Sequence, residues 1–327
     1  MLLAGDLGAT KTLLGLFEED DQRPRAEAVR TYPTHDFASF ADILRAFTND
    51  IGLTAAVRGA AIGVAGAVVE QRTHLTNVAW TVAASDIVAS LGTPHVRLLN
   101  DVEALATSIP ALLDDELVTL QQGRANAGGN AVVIAAGTGL GEAYLHRLEG
   151  GGRHAAASEG GHADFAARTD REIELLLMLR TLHGRAQIED VVSGLGLVNL
   201  YRFTHADGDC APCRGLSPHD IPAALTEAAM AGACSRCGEA LSMFVDAYGA
   251  EAGNLALRAV ATGGVYIGGG IAPKILPALQ NGRFIAAFSA KSPMADLLAN
   301  VPVRVILNQE AGLLGAAVAA QALPAAA

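Results

Sequence analysis

Lysine is nearly absent from this 327-residue chain: Lys11, Lys274 and Lys291 are the only three, and arginine supplies the other basic charges. Together they number 23 against 34 acids, a net charge of −11 that excludes a surface built to bind many phosphates, as nucleic acid or an anionic membrane requires. A small phosphate compound is not excluded, because backbone amides bind it whatever the net charge. Charged residues are only 17% of the chain, but 51% hydrophobic content rules out a disordered polymer. No 20-residue apolar span accompanies the positive mean hydropathy of +0.31, so no membrane helix is expected. The opening MLLAGDLGATK lacks a basic region before its apolar residues and reaches Asp6 at once, unlike a secretory signal. A cytoplasmic protein with reduced cysteines is the expectation.

What is abundant is glycine, 36 residues, and alanine, about a fifth of the chain. Glycine falls in a pattern. Strand-like Met1 to Ala4 runs into Gly5-Asp6-Leu7-Gly8-Ala9-Thr10, and a second strand, Thr12 to Phe17, makes a hairpin. Asn130 to Ala136 runs into Gly137-Thr138-Gly139-Leu140-Gly141, with a second strand through Leu145. Gly264 to Ile267 runs into Gly268-Gly269-Gly270. Buried strands are expected at Gly59 to Val64, His95 to Leu99 and Val303 to Leu307. Helices are expected at Phe37 to Asn49, Ala83 to Leu91, Asp101 to Ile109, Arg171 to Leu182 (with Ile173, Leu176, Leu177 and Leu179 as core) and Gly312 to Ala322. Ala223 to Ala261 reads as two helices broken near Gly232 or Gly249. Alternating strands and helices imply an α/β fold, and the length implies two domains.

Three glycine turns after strands suit a phosphate chain, since only glycine lets backbone amides approach without an intervening Cβ. Asp6 is placed to hold Mg²⁺ directly or through water, and Thr10 and Thr138 offer hydroxyls. Neither a Walker A loop nor a dinucleotide fingerprint is present; the first turn leads to a strand, not a helix. Leu98-Leu99-Asn100-Asp101 puts an amide and a carboxylate at a strand's carboxyl end, where α/β sheets hold ligands. Asp101 could serve there as the base of a phosphoryl transfer, or merely cap the following helix. In Glu159-Gly160-Gly161-His162-Ala163-Asp164 a carboxylate and an imidazole suit a polyol ring; a zinc pair is the rival reading, with no matching His or Cys nearby in sequence.

In sum these segments resemble the bacterial glucokinases of the hexokinase, actin-like ATPase superfamily. Residues 5–10 match the phosphate-1 hairpin, 99–101 the catalytic strand end, 136–141 phosphate-2 and 159–165 the sugar loop. Ser193-Gly194-Leu195-Gly196-Leu197-Val198-Asn199-Leu200-Tyr201-Arg202, Gly253 to Leu257 and Ile267 to Pro273 follow in order. The resemblance implies a two-domain actin-like ATPase (ribonuclease H-like) α/β fold with a cleft between the domains: 1–110 plus 308–327 small, 111–307 large. It implies ATP-dependent phosphorylation of glucose at O6, with Asp101 as general base and Asn100, Asp101, Glu159, His162 and Glu189 on the sugar; Asn77 matches a further sugar-side segment. Gly5, Asp6, Leu7, Gly8, Ala9, Thr10, Gly137, Thr138 and Gly139 would meet the phosphates, Gly268, Gly269 and Gly270 the adenosine. Relatives are often homodimers. Departures are Ala9 for a usual glycine and Gln309-Glu310-Ala311 for a usual Asn-Pro; Lys11 is expected to be exposed. Rivals are a kinase for another hexose or an N-acetylhexosamine, a sugar-sensing repressor and a filament subunit. The repressor needs a DNA-binding region, which is not expected in an acidic chain opening on the first turn.

Cys210-x-x-Cys213 and Cys234-x-x-Cys237 have the spacing of a four-cysteine structural Zn²⁺ site, the alternative being free reduced thiols.

Overall fold

The computed structural model describes residues 1–75, 78–124 and 126–324, and the chain forms two compact units. The first comprises Met1–Glu116, His154–Ala157 and Asn308–Ala327, the second Leu117–Arg153 and Ser158–Leu307. The first extends to Glu116 because that carboxylate is held by Arg23 (2.7 and 2.9 Å) and by Asn308 Nδ2 at 2.7 Å.

In the first unit β1 (Leu2–Leu7), β2 (Lys11–Glu18), β3 (Arg25–Pro33), β4 (Gly59–Val64) and β7 (Val96–Asn100) form one sheet of order β3-β2-β1-β4-β7. The β1–β2 and β2–β3 pairs are antiparallel; β4 and β7 join parallel. A small ribbon, β5 (Arg72–His74) with β6 (Thr81–Ala83), stands apart. All six residues of β4 are buried, as a parallel strand covered on both faces requires. Helix α1 (Phe40–Asp50), with its amide of Asp42 accepted by the Ser39 hydroxyl, turns Phe40, Ile43, Leu44 and Phe47 to one face's core, which Ile87 of α2 (Ala84–Leu91) joins. On the other face α11 (Ala311–Gln321) lays Leu313, Ala316, Ala317 and Ala320 against Leu2, Ala4, Ala61 and Leu99. α11 also crosses α3 (Asp101–Ser108) so closely that a Cβ at Gly315 would overlap the Ala104 carbonyl. Small residues here permit the crossing.

The second unit's sheet includes the order β10-β9-β12-β13-β8, from β8 (Leu117–Gln121), β9 (Ala131–Ala136), β10 (Leu140–Arg147), β12 (Gly264–Gly268) and β13 (Val303–Ile306). β11 (Arg153–Ser158) follows β10 along the chain. β9–β10 is an antiparallel hairpin; β12 and β13 continue parallel from β9. The helices are α4 (Asp170–His183), α5 (Gly194–Thr204), α6 (Ile221–Met230), α7 (Ser235–Ala259), α8 (Leu276–Gln280), α9 (Arg283–Ser289) and α10 (Ala295–Ala299). The long helical stretch breaks at Gly232, whose φ is +67°, and runs unbroken through Gly249. Gly249 is there for packing: a Cβ would strike the carbonyl of Phe284 on α9.

One expectation needs correction, and one strand had no sequence expectation. In α4, Leu175 and Leu179 are buried, whereas Ile173 and Leu177 are 46% and 54% exposed. Apolar residues at 173 and 175–179 leave the helical phase ambiguous, and packing selects the 175/179 stripe. Strand β3, with only Tyr32 fully buried among nine mostly exposed residues, carried too weak an apolar signal to be expected.

Candidate functional site

The two units each carry part of the expected machinery. In the first, Asp6 lies at the carboxyl end of β1 and Asp101 opens α3 just beyond β7, two strands away and thus about 10 Å across the sheet. Between them, Gly63 of β4 pairs with both Asp6 and Leu99, and a Cβ on it would lie 3.0 Å from that of Ala104 and 3.8 Å from Asp101 Cα. Burial pushes the Asp6 carboxyl above the usual range, and the Lys11 ammonium, itself exposed, opposes the shift. Gly312, in the first turn of α11, faces this carboxylate so closely that a Cβ would sit 3.2 Å from Oδ2. This contact with the 309–312 segment was not expected from sequence, since nothing in a separation of 306 positions signals it.

The cap of α3 is Asn100, not Asp101. The Asn100 side-chain carbonyl accepts from the amides of Val102 (2.9 Å) and Glu103 (3.2 Å), Glu103 returns a bond to the Asn100 amide, and Nδ2 donates to the Gly66 carbonyl at 3.1 Å. Asp101 is therefore held at the first helical position, its Oδ1 accepting from Val102 at 2.9 Å. Of the first turn, Gly5 and Leu7 are buried, Asp6, Gly8 and Ala9 half-buried and Thr10 exposed. Gly5 packs between Ile62 and Leu14, and the Gly8 amide donates to Lys11 O at 3.1 Å.

In the second unit the Gly137 and Gly268–Gly270 turns come together. Gly269, at φ +83°, lies so close to Ala136 that a Cβ would overlap that residue's backbone, and the Ile271 amide donates to the Ala136 carbonyl at 3.2 Å. Gly137 and Gly270 face open space. Gly137, and Ile271 just after the second turn, border a pocket of about 430 Å³ lined also by Thr138, Gly194, His219, Thr226, Lys274 and Ile275, a volume suited to a small-molecule ligand. His219, Thr226 and Lys274 had no sequence signal, being scattered over a polar loop, the middle of α6 and the 3-10 turn before α8.

The sugar-loop residues of this unit also meet. Glu189 Oε2 accepts from the Leu140 amide at 2.7 Å, and a Cβ on Gly139 would run into that carboxylate. His162 Nδ1 lies 3.2 Å from Gln187 Oε1 and 3.9 Å from Glu189 Oε1, with Nε2 3.8 Å from Glu159 Oε2. Glu159 and His162 are exposed and Glu189 half-buried. Beneath the loop, Glu142 of β10 is fully buried with both carboxylate oxygens unpartnered. Burial, then the charge of Glu251, push its carboxyl up to about 7, against the pull of Arg258. Asn77 lies outside the described residues.

Three of the four expected cysteines cluster with a histidine. His205, Cys210, Cys234 and Cys237 bring their donor atoms within 4.8 Å of one another, and Cys213 is not in that group. His205 had no sequence signal because it lies in neither C-x-x-C pair. All four cysteines are free thiols.

Among the described residues no helix is long and apolar enough to cross a membrane.

A sequence model of the glucokinase family matches residues 3–323. The chain is 38% identical to a glucokinase of Nostoc sp. over 99% of both chains, and 35% identical to that of Pectobacterium atrosepticum over 96% and 95%. Among solved structures, a glucokinase from an Antarctic psychrotroph superposes with a TM-score of 0.86 at 31% identity, covering 98% of each chain. A ROK-family glucokinase from Streptomyces griseus in complex with glucose and AMPPNP shares the fold at 0.66, with 20% identity over 98% of this chain and 99% of that one.

Proposed function

Since the chain belongs to the glucokinase family, we propose that it phosphorylates glucose at O6 with ATP in the cytoplasm, releasing glucose 6-phosphate and ADP. The observation that carries this reading is the packing of the Gly268–Gly270 turn against Ala136, beside a ligand-sized pocket that Gly137, Thr138 and Ile271 line. Backbone amides of these turns and the Thr138 hydroxyl meet phosphate oxygens, and the pocket takes the nucleoside.

Asp101 accepts the proton of the sugar's primary hydroxyl as O6 attacks phosphorus. Its fixed position at the start of α3 matters more than its basicity, because the transition state is loose and charge is spread over the phosphoryl oxygens. Asp6 would hold Mg²⁺, directly or through water, and the fit is chemical: a hard carboxylate, made costly to leave charged by burial, gains from a cation. Bound there, the ion neutralises phosphate charge. Asn100, Glu159, His162 and Glu189 hydrogen-bond the remaining hydroxyls; the Glu189 link to the Leu140 amide ties sugar contact to the second glycine turn.

ADP release measured with glucose, mannose, fructose and N-acetylglucosamine, with and without Mg²⁺, tests the reading. Mg²⁺-dependent release with glucose far above the other sugars is expected. Faster release with N-acetylglucosamine would assign a hexosamine kinase instead.

A further inference from the structure

The loop from His205 to Asp220 does two things at once: its first half carries metal-type donors, and its second half walls the pocket just described. Cys210 and Cys237 are 8% and 0% exposed, and His205 is 5% exposed. Their contacts are Cys210 Sγ to Cys237 Sγ 3.6 Å, Cys234 Sγ to His205 Nε2 3.6 Å and Cys237 Sγ to His205 Nε2 3.8 Å. A tetrahedron with zinc–sulfur bonds of about 2.3 Å and a zinc–nitrogen bond of about 2.0 Å has S···S edges of about 3.8 Å and S···N edges of about 3.6 Å. The three short edges lie close to these values, the other donor pairs lie within 4.8 Å, and 3.6 Å is far outside the roughly 2.05 Å of a disulfide.

The imidazole is oriented for ligation from behind. Nδ1 lies 3.1 Å from the Tyr201 carbonyl and 2.9 Å from Thr204 Oγ1, and the ring stacks on Tyr201 at 4.1 Å. With Nδ1 carrying the proton, Nε2 points its lone pair at the thiols. The Tyr201 hydroxyl in turn accepts from the Cys210 amide at 3.3 Å and donates to Asp209 at 3.1 Å.

We propose that His205, Cys210, Cys234 and Cys237 bind one Zn²⁺ that staples the 206–220 loop to the start of α7 and thereby fixes the Pro218-His219-Asp220 wall of the nucleotide pocket. Each thiol gives up a proton on binding, so three thiolates, one neutral imidazole and Zn²⁺ leave the site at −1. Soft sulfur with one imidazole in tetrahedral array selects zinc over magnesium or calcium. Cys213, buried beside Cys210 and Cys237, stands outside the group of donors that lie within 4.8 Å of one another. The link to nucleotide rests on the kinase reading above; the metal site does not.

The test is elemental analysis of the purified full-length protein, with Co²⁺ substitution and Michaelis constants for both substrates. One zinc per chain is expected, and Co²⁺ should give the intense visible bands of a tetrahedral thiolate site. His205→Asn and Cys210→Ser should lose the metal, and His205→Cys and Cys213→Ser should keep it. Metal loss should raise KM for ATP about threefold to tenfold while leaving KM for glucose unchanged. Wild-type protein that neither contains zinc nor takes up Co²⁺ overturns the site, whether or not any kinase activity is found. Retention in His205→Asn with loss in Cys213→Ser would make it a four-cysteine site. An unchanged KM for ATP after metal loss would overturn the coupling alone.

Discussion

The two sheets share a frame: β2-β1-β4-β7 in the first unit and β10-β9-β12-β13 in the second each place an antiparallel hairpin beside two parallel strands. What stands at the strand ends differs. The first unit presents carboxylates, Asp6 and Asp101, and there Gly5 is packed between Ile62 and Leu14. The second leaves open space at the Cβ positions of Gly137 and Gly270, and the Thr138 hydroxyl beside them lines the pocket. On the proposed reading, one scaffold would supply charge for cation and proton in the first unit and charge-free anion binding in the second. That division would let an acidic, lysine-poor chain handle a polyphosphate.

Substitutions at matched positions should break the comparison unequally. Gly5→Ala puts a methyl 2.8–2.9 Å from Ile62 and Leu14 and should cost about 1–3 kcal/mol of stability, read as a lower denaturant midpoint. Gly137→Ala meets nothing within 4 Å, so stability should hold within about 0.5 kcal/mol while KM for ATP rises. Equal stability losses at both would show that the turns do the same work. Between these in consequence, Gly139→Ala should push the Glu189 carboxylate off the Leu140 amide and raise KM for glucose about tenfold, with little change in melting temperature.

A smaller effect concerns Glu142, which the second sheet buries without a partner. Its folded pKa is raised to about 7 from 4.5, so the folded state holds a proton the unfolded state has released across that interval. Stability therefore falls as pH rises from about 4.5 through 7. Glu142→Gln should flatten this slope and gain about 1–3 kcal/mol at pH 8 relative to wild type. Urea denaturation at pH 6 and 8 measures it; parallel pH profiles would remove Glu142 as the cause.

The glycine turns and the β4 and β9 strands were legible because local chemistry determines them: buried parallel strands read as unbroken apolar runs, and turns need glycine. The break at Gly232 rather than Gly249 was not, because both are glycines in helical surroundings and only the carbonyl of Phe284 distinguishes them. His205 escaped for a similar reason. A metal ligand supplied by a helix end shares no spacing with the C-x-x-C pairs, and tertiary structure alone brings it to Cys234 and Cys237. Likewise the contact of Gly312 with Asp6 joins opposite ends of the sequence.

The division of labour between the units hinges on Asp101. Measured in parallel, turnover and glucose binding of Asp101→Asn decide it: turnover should fall by about 10² to 10⁴-fold while calorimetric glucose affinity stays within a few fold of wild type. Unchanged turnover would contradict the assignment of the base, and with it the account of the first unit.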